Sequence, residues 1–150
     1  MSGAPDVLVR AIVEADDLRI ITAVTTEVVR EAARRHEING SAAAAIGRAI
    51  TSGLLLATMT KGEERVTLQL VGDGPLRGVT ADANAAGDVR AYVSRPDAHL
   101  PPVEPNVRPR LGDVLGKKGI LTIVRDLGMR ELYQGQVELV SGEIDEDVAR

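Results

Sequence analysis

The sequence predicts an α+β fold in which antiparallel sheet layers enclose a buried central helix, and three observations carry that expectation. The first is the run at 42–60, AAAAIGRAITSGLLLATMT, nineteen residues with one formal charge, Arg48, and no proline. A helix apolar on every side has no face for water, so it is either a membrane span or a central element walled in by other layers. Arg48, Ser52 and two glycines interrupt the run, and both flanks carry the patterns of water-facing strands and helices, which favours burial. The second is a change of period to two, where Val66, Leu68 and Leu70 alternate with Thr67 and Gln69. The third is the shortness of the links between strand-like segments over 66–93, as an antiparallel meander requires.

Each element follows in order. Residues 7–14 and 18–24 are β-branched runs separated by Ala15, Asp16 and Asp17, a hairpin whose nearly continuous apolar residues predict strands with much of both faces covered. Thr25 or Thr26 then caps a helix through about His36, with Val28, Val29, Ala32 and Ala33 on one stripe and Arg30, Glu31, Arg34 and Arg35 outside. Asn39-Gly40 ends that segment, and Ser41 is expected to cap the apolar helix. Asn39-Gly40-Ser41 also fits a glycosylation acceptor, but no secretory signal supports that use, so turn and cap is the reading.

Lys61-Gly62 stops the apolar helix, and the half-buried strand at 66–70 follows. Gly72, Asp73, Gly74 and Pro75 form a turn in which Gly72, Gly74 and Pro75 are expected to be structural. A second strand at 78–82, a turn at 84–88 and a third strand at 89–93 complete the meander. Between 94 and 110 stand Pro96, Pro101, Pro102, Pro105 and Pro109, too many for a regular element, which predicts a rigid extended connection. A short apolar segment at 111–115, a loop at 116–119, a strand at 120–125, a turn at 126–128 and a last strand at 133–140 come next. Ser141 is expected to cap a closing helix with an acidic first turn (Glu143, Asp145, Glu146, Asp147), as the helix dipole favours. Two turns are marginal alone, so the sequence is expected to be cut short at Arg150.

Composition limits the chemistry. At 150 residues the chain suits one domain over 1–150, able to bury roughly 68–70% of its unfolded surface without disulfide or metal. Cysteine is absent, so these residues offer no thiol nucleophile, redox pair or cysteine zinc site. Two tyrosines without Phe or Trp make the core aliphatic and leave no stacking platform for single-stranded nucleic acid. A net charge of −4 gives no broad basic face, so nucleic acid is not an expected partner, and neither is a membrane. The N-terminus lacks the basic-then-apolar layout of a signal peptide, so the cytoplasm is the expected location.

Motifs that could carry chemistry fall short. Residues 72–78, GDGPLRG, miss the dinucleotide fingerprint at Arg77, and a strand rather than a phosphate-holding helix follows. Residues 112–118, GDVLGKK, lack both the length and the Ser or Thr of a P-loop. His36 and His99 have no metal-ligand neighbour at helical spacing, and no serine sits in a nucleophile elbow. No catalytic, metal or cofactor residue is therefore expected, and the chain is not read as an enzyme. Arg48 is different: a charge in an apolar layer is normally paired, so it is expected to be structural, held by a carboxylate such as Asp73 or Asp82 or by carbonyls.

In order along the chain, TTEVVREAARRH (25–36), AAIGRAITSGLLLATMTKGEERVTLQLVGDGPLRGV (44–79), DANAAGDVRAYV (82–93), HLPP (99–102), GKKGILTIVRDLG (116–128) and YQGQVELVSGEIDEDVA (133–149) resemble the N-terminal domain of the bacterial Hsp33 family, the redox-regulated holdase chaperones. The resemblance covers nearly the whole chain. It implies sheet layers around a central helix, in agreement with the apolar run. It also implies ATP-independent holding of unfolded client proteins and a homodimer. Family members continue into a linker and a four-cysteine zinc module, neither of which the sequence contains. No zinc ligand can therefore be carried over, and no cofactor is expected in this chain. The expected mechanism is adhesion by apolar surface and sheet edges left uncovered. No client-binding residue is assigned: Val66, Leu68 and Leu70 are expected to face the core. The alternative is a dimerisation and interaction scaffold without chaperone activity of its own.

Overall fold

The computed structural model describes residues 4–150. Helix α1 (Thr26–Arg35) precedes α2 (Gly40–Ala57), which lies at the centre. None of residues 41–58 is exposed, and Ala45, Ile46, Ala49 and Ala57 are completely buried. By length and hydropathy α2 could cross a bilayer; here it is wrapped in protein.

Beneath it lies a five-stranded antiparallel sheet of β3 (Arg65–Gly72), β4 (Gly78–Asn84), β5 (Val89–Val93), β6 (Gly119–Asp126) and β7 (Tyr133–Glu138), in the order β5-β4-β3-β6-β7. Val66, Leu68 and Leu70 point at the helix and are buried, as the alternation predicts. Leu68 stands opposite Ala81 and Ile123, and Leu70 opposite Val79 and Leu121, so one inward layer spans three strands. Small residues set the approach of helix and sheet: a Cβ added at Gly53 would lie 3.5 Å from that of Ala81. Alanines on both sides bring α2 close to β4.

The far side of α2 is covered by α1, by α4 (Ile144–Val148) and by one strand of a separate hairpin. That hairpin pairs β1 (Val7–Val13) with β2 (Leu18–Val24) through a short turn at Glu14–Asp16 and a left-handed Asp17. Residues 94–110 form no regular element, and the apolar segment after them contains α3 (Gly112–Leu115).

Several local expectations are corrected. The hairpin is not covered on both faces: Val9, Leu18 and Ile20 are 49%, 50% and 45% exposed, because among the described residues nothing packs on its outer side. Ser41 is not the cap of α2. Asn39 occupies that position in an extended conformation, Ser41 lies inside the helix, and the Asn39 side chain makes no capping bond. The Thr25 hydroxyl, at the start of α1, is instead bonded to that of Thr51 at 2.7 Å. Its capping role falls to Asp6 at the root of the hairpin, whose carboxylate accepts from the N–H groups of Glu27 (2.9 Å) and Val28 (2.7 Å). Ser141 does not cap α4 either; Glu143 occupies that position without a side-chain capping bond, and the Ser141 hydroxyl accepts from the Glu143 N–H. The last strand ends at Glu138, two residues early, because Leu139 turns inward to become buried.

Candidate functional site

The register of the hairpin sorts its side chains. Val7 faces Val24, Val9 faces Thr22, Ala11 faces Ile20 and Val13 faces Leu18, and in an antiparallel pair such partners share one face. That face has seven apolar residues, one threonine and no charge. The opposite face carries Leu8, Arg10, Ile12, Arg19, Ile21 and Ala23, with Leu8, Ile21 and Ala23 half-buried toward the body. The two strands pair only with each other, so main-chain groups on the outer edge of the hairpin are free. An exposed apolar face joined to an open strand edge is normally guarded by charge. Here the charges sit at the tip: Glu14, Asp16 and Asp17 are exposed, and none of the salt bridges among the described residues involves them.

A second apolar area lies where the sheet outruns its helix. Tyr133 and Val137 point to the inner side of β7 beyond α2 and are 69% and 49% exposed, beside Leu132 and Met129 in the preceding turn. The opposite face of the sheet is mixed, with Val71, Tyr92 and Ile120 about half exposed on it among polar residues. There Asp82 accepts from Arg65 (2.8 and 3.0 Å), Arg90 (2.9 Å) and Thr67 (3.1 Å). Burial pushes its carboxyl up, and the bonds from Arg65, Thr67 and Arg90 outweigh that, holding it below the usual carboxylate range. A shallow recess beside it is lined by His36, Thr80, Tyr92, Val124 and Leu132, whereas His99 lies on the proline-rich connection. Among the described residues no three His, Asp or Glu side chains gather as they would around a metal ion.

Arg48 is held, but not by Asp73 or Asp82. Its guanidinium pairs with Glu143 at 2.5 Å, donates to the Pro109 carbonyl at 3.0 Å and lies 3.7 Å from Asp145. Asp82 serves Arg65 and Arg90, and the Asp73 carboxylate accepts from the Lys118 N–H. The reason is helical phase: Arg48 lies about 140° around α2 from the sheet-facing Gly53, toward α4 and the connection. Gly72 and Gly74 are brought against α3: the Gly74 N–H donates to the Leu115 carbonyl and the Leu76 N–H to that of Val114, each at 2.9 Å. A Cβ at Gly72 would stand 2.0 Å from the Leu115 oxygen, and one at Gly74 2.4 Å from that of Val114. Pro75 is exposed on the turn.

Sequence reasoning missed Asp147. Placed by the sequence in an acidic first turn, it is 1% exposed and accepts from the N–H groups of Val140, Ser141 and Gly142 at 3.1, 3.2 and 2.9 Å. Its position three residues after the buried Ile144, on the same side of a helix, was the available signal. Glu143 likewise bridges Arg48 and the Gly112 N–H.

An open-edged apolar sheet face on a well-packed α+β body is the candidate surface of this domain. The comparisons with known proteins then identify the group. The family model described as Hsp33 protein matches residues 6–150, and the chain belongs to that family. A 33 kDa chaperonin of Bacillus velezensis is 46% identical over 145 residues, covering 95% of this chain and 48% of that protein. One from Bacillus subtilis is 44% identical over 145 residues with the same coverage. The crystal structure of the 33 kDa chaperonin (heat shock protein 33 homolog) from Thermotoga maritima superposes with a TM-score of 0.85 at 35% identity, over 93% of this chain and 48% of that one. The chain thus spans about half the length of the curated relatives it matches.

Proposed function

We propose that this chain is the client-holding body of a molecular chaperone, binding unfolded or aggregation-prone proteins without ATP, as a dimer in the cytoplasm. The observation that carries this is the uncharged outer face of the hairpin, in a family whose relatives are named chaperonins. Its mechanism follows from magnitudes. Val7, Val9, Leu18, Ile20 and Val24 are each about half exposed, and covering such a residue gains about 1 kcal/mol, about 5 kcal/mol for the five. Association costs about 4–15 kcal/mol of lost freedom, so the face alone binds weakly and exchangeably. The free edge adds the main-chain hydrogen bonds that favour extended, unfolded segments over folded surfaces. These residues contain no cysteine, so their part in any thiol and zinc regulation is to present the surface, not to sense oxidation.

The test is dilution of a chemically unfolded client with and without the chain, in the absence of nucleotide. Suppressed light scattering at near-stoichiometric ratio is expected. Ile20→Asp, which charges the centre of the face, should abolish the suppression while the chain stays folded. Undiminished scattering with the unaltered chain refutes the reading, and a dimer in sedimentation that fails to suppress scattering would favour the scaffold instead.

A further inference from the structure

We infer that the hairpin discriminates among clients by flanking charge, preferring extended apolar segments preceded by lysine or arginine. The inference rests on the holding role proposed above and assigns its site and partner chemistry. The outer face is uncharged from Val7 to Val24, so an occupant lying along it must be uncharged there as well. Beyond Val13 and Leu18 the chain turns through Glu14, Asp16 and Asp17, an exposed acidic rim, whereas at the other end the Asp6 carboxylate is taken up by the N–H groups of Glu27 and Val28. Neither Arg10 nor Arg19 forms a salt bridge with these acids, and both belong to the opposite face by register, so the rim's field is open to whatever lies on the apolar side.

Orientation follows from the edge. Neither strand of the hairpin has a second strand partner; β2 lies beside α2, and β1 is taken as the edge that an extended client adds to. An incoming strand pairs best antiparallel to β1, which runs toward the tip. The N-terminal end of the client then meets the acids, while its alternate side chains join the uncharged face. Basic residues before the apolar run are attracted; acidic ones are repelled.

The experiment uses fluorescent peptides with a valine and threonine core as long as the seven residues of β1, preceded by two lysines or by two glutamates. Binding to the chain is read by anisotropy at low and high salt. The lysine form should bind about threefold to tenfold tighter at low ionic strength, and the gap should close as salt screens the rim. The triple variant Glu14→Gln, Asp16→Asn, Asp17→Asn, checked for folding by circular dichroism, should lose the discrimination. Equal affinities in the unaltered chain overturn the inference, as does discrimination that survives in the triple variant. Absence of peptide binding, with sedimentation showing a dimer that Ile20→Asp dissociates, assigns the face to a second copy and also overturns it. In each case persistent suppression of scattering leaves the holding role standing, and loss of suppression in the unaltered chain removes that role separately.

Discussion

Replacing Arg48 by leucine tests the link between the central helix and the chain's last segment. Arg48 and Glu143 are 16% and 18% exposed at their side chains, so the pair is largely withdrawn from water. Losing the guanidinium leaves the Glu143 carboxylate with the Gly112 N–H alone and frees the Pro109 carbonyl from its donor. Breaking a fully buried pair from one side costs roughly 3–5 kcal/mol, and residual solvent at this one reduces that to about 3. Leucine recovers about 1 kcal/mol by burying its own surface. The net expectation is a loss of about 2 kcal/mol, which at this chain length lowers Tm by about 4–8 °C. Urea unfolding of Arg48→Leu, Glu143→Gln and the double variant should give a coupling of about 1–2 kcal/mol with an unchanged m value. A Tm that stays level or rises in Arg48→Leu, or a coupling below about 0.5 kcal/mol, would refute the reasoning.

Other outcomes follow from the same geometry. Because the Asp82 carboxyl lies below its unfolded value in the folded chain, its contribution to stability is complete above that value, about 3.9, and is lost as pH falls through the folded one. Asp82→Asn should therefore flatten the decline of Tm in acid, and a decline as steep as in the parent would contradict the assignment. Gly72→Ala drives a Cβ into the Leu115 carbonyl and should cost at least about 2 kcal/mol, whereas Gly135→Ala, on an exposed strand with nothing within 4 Å, should change stability by no more than about 1 kcal/mol. Chemical denaturation of the two variants compares them directly. Asp147→Ala leaves three N–H groups without their acceptor and should lower stability by about 2–4 kcal/mol, with early amide exchange at Val140, Ser141 and Gly142; unchanged protection there would contradict it.

The parts of the fold legible in the sequence were those with strong local periodicity. The charge-poor run at 42–60 announced a wrapped helix because no face could meet water, and the alternation at Val66, Leu68 and Leu70 announced the inward side of β3. What failed was wherever partners came from far along the chain. Asp6 caps α1 from twenty-one residues before Glu27, and Glu143 reaches Arg48 across ninety-five positions, so no window of sequence contained either contact. The hairpin misled for a physical reason. Apolar residues on both faces look alike whether the fold covers them or leaves them in water, since periodicity reports composition and not the neighbour. The candidate site was thus readable as greasy strands and unreadable as an exposed surface, until the register showed that every charged residue of β1 and β2 fell on one side.

One feature of the core has an evolutionary consequence. Its buried cluster begins at Ile38, and the hairpin lends it only the partly covered Leu8. Substitutions on the outward strands therefore escape the purge that folding imposes on Leu68 or Ile46. The outer face can change in composition while the core stands, as a handle is reshaped without recasting the tool.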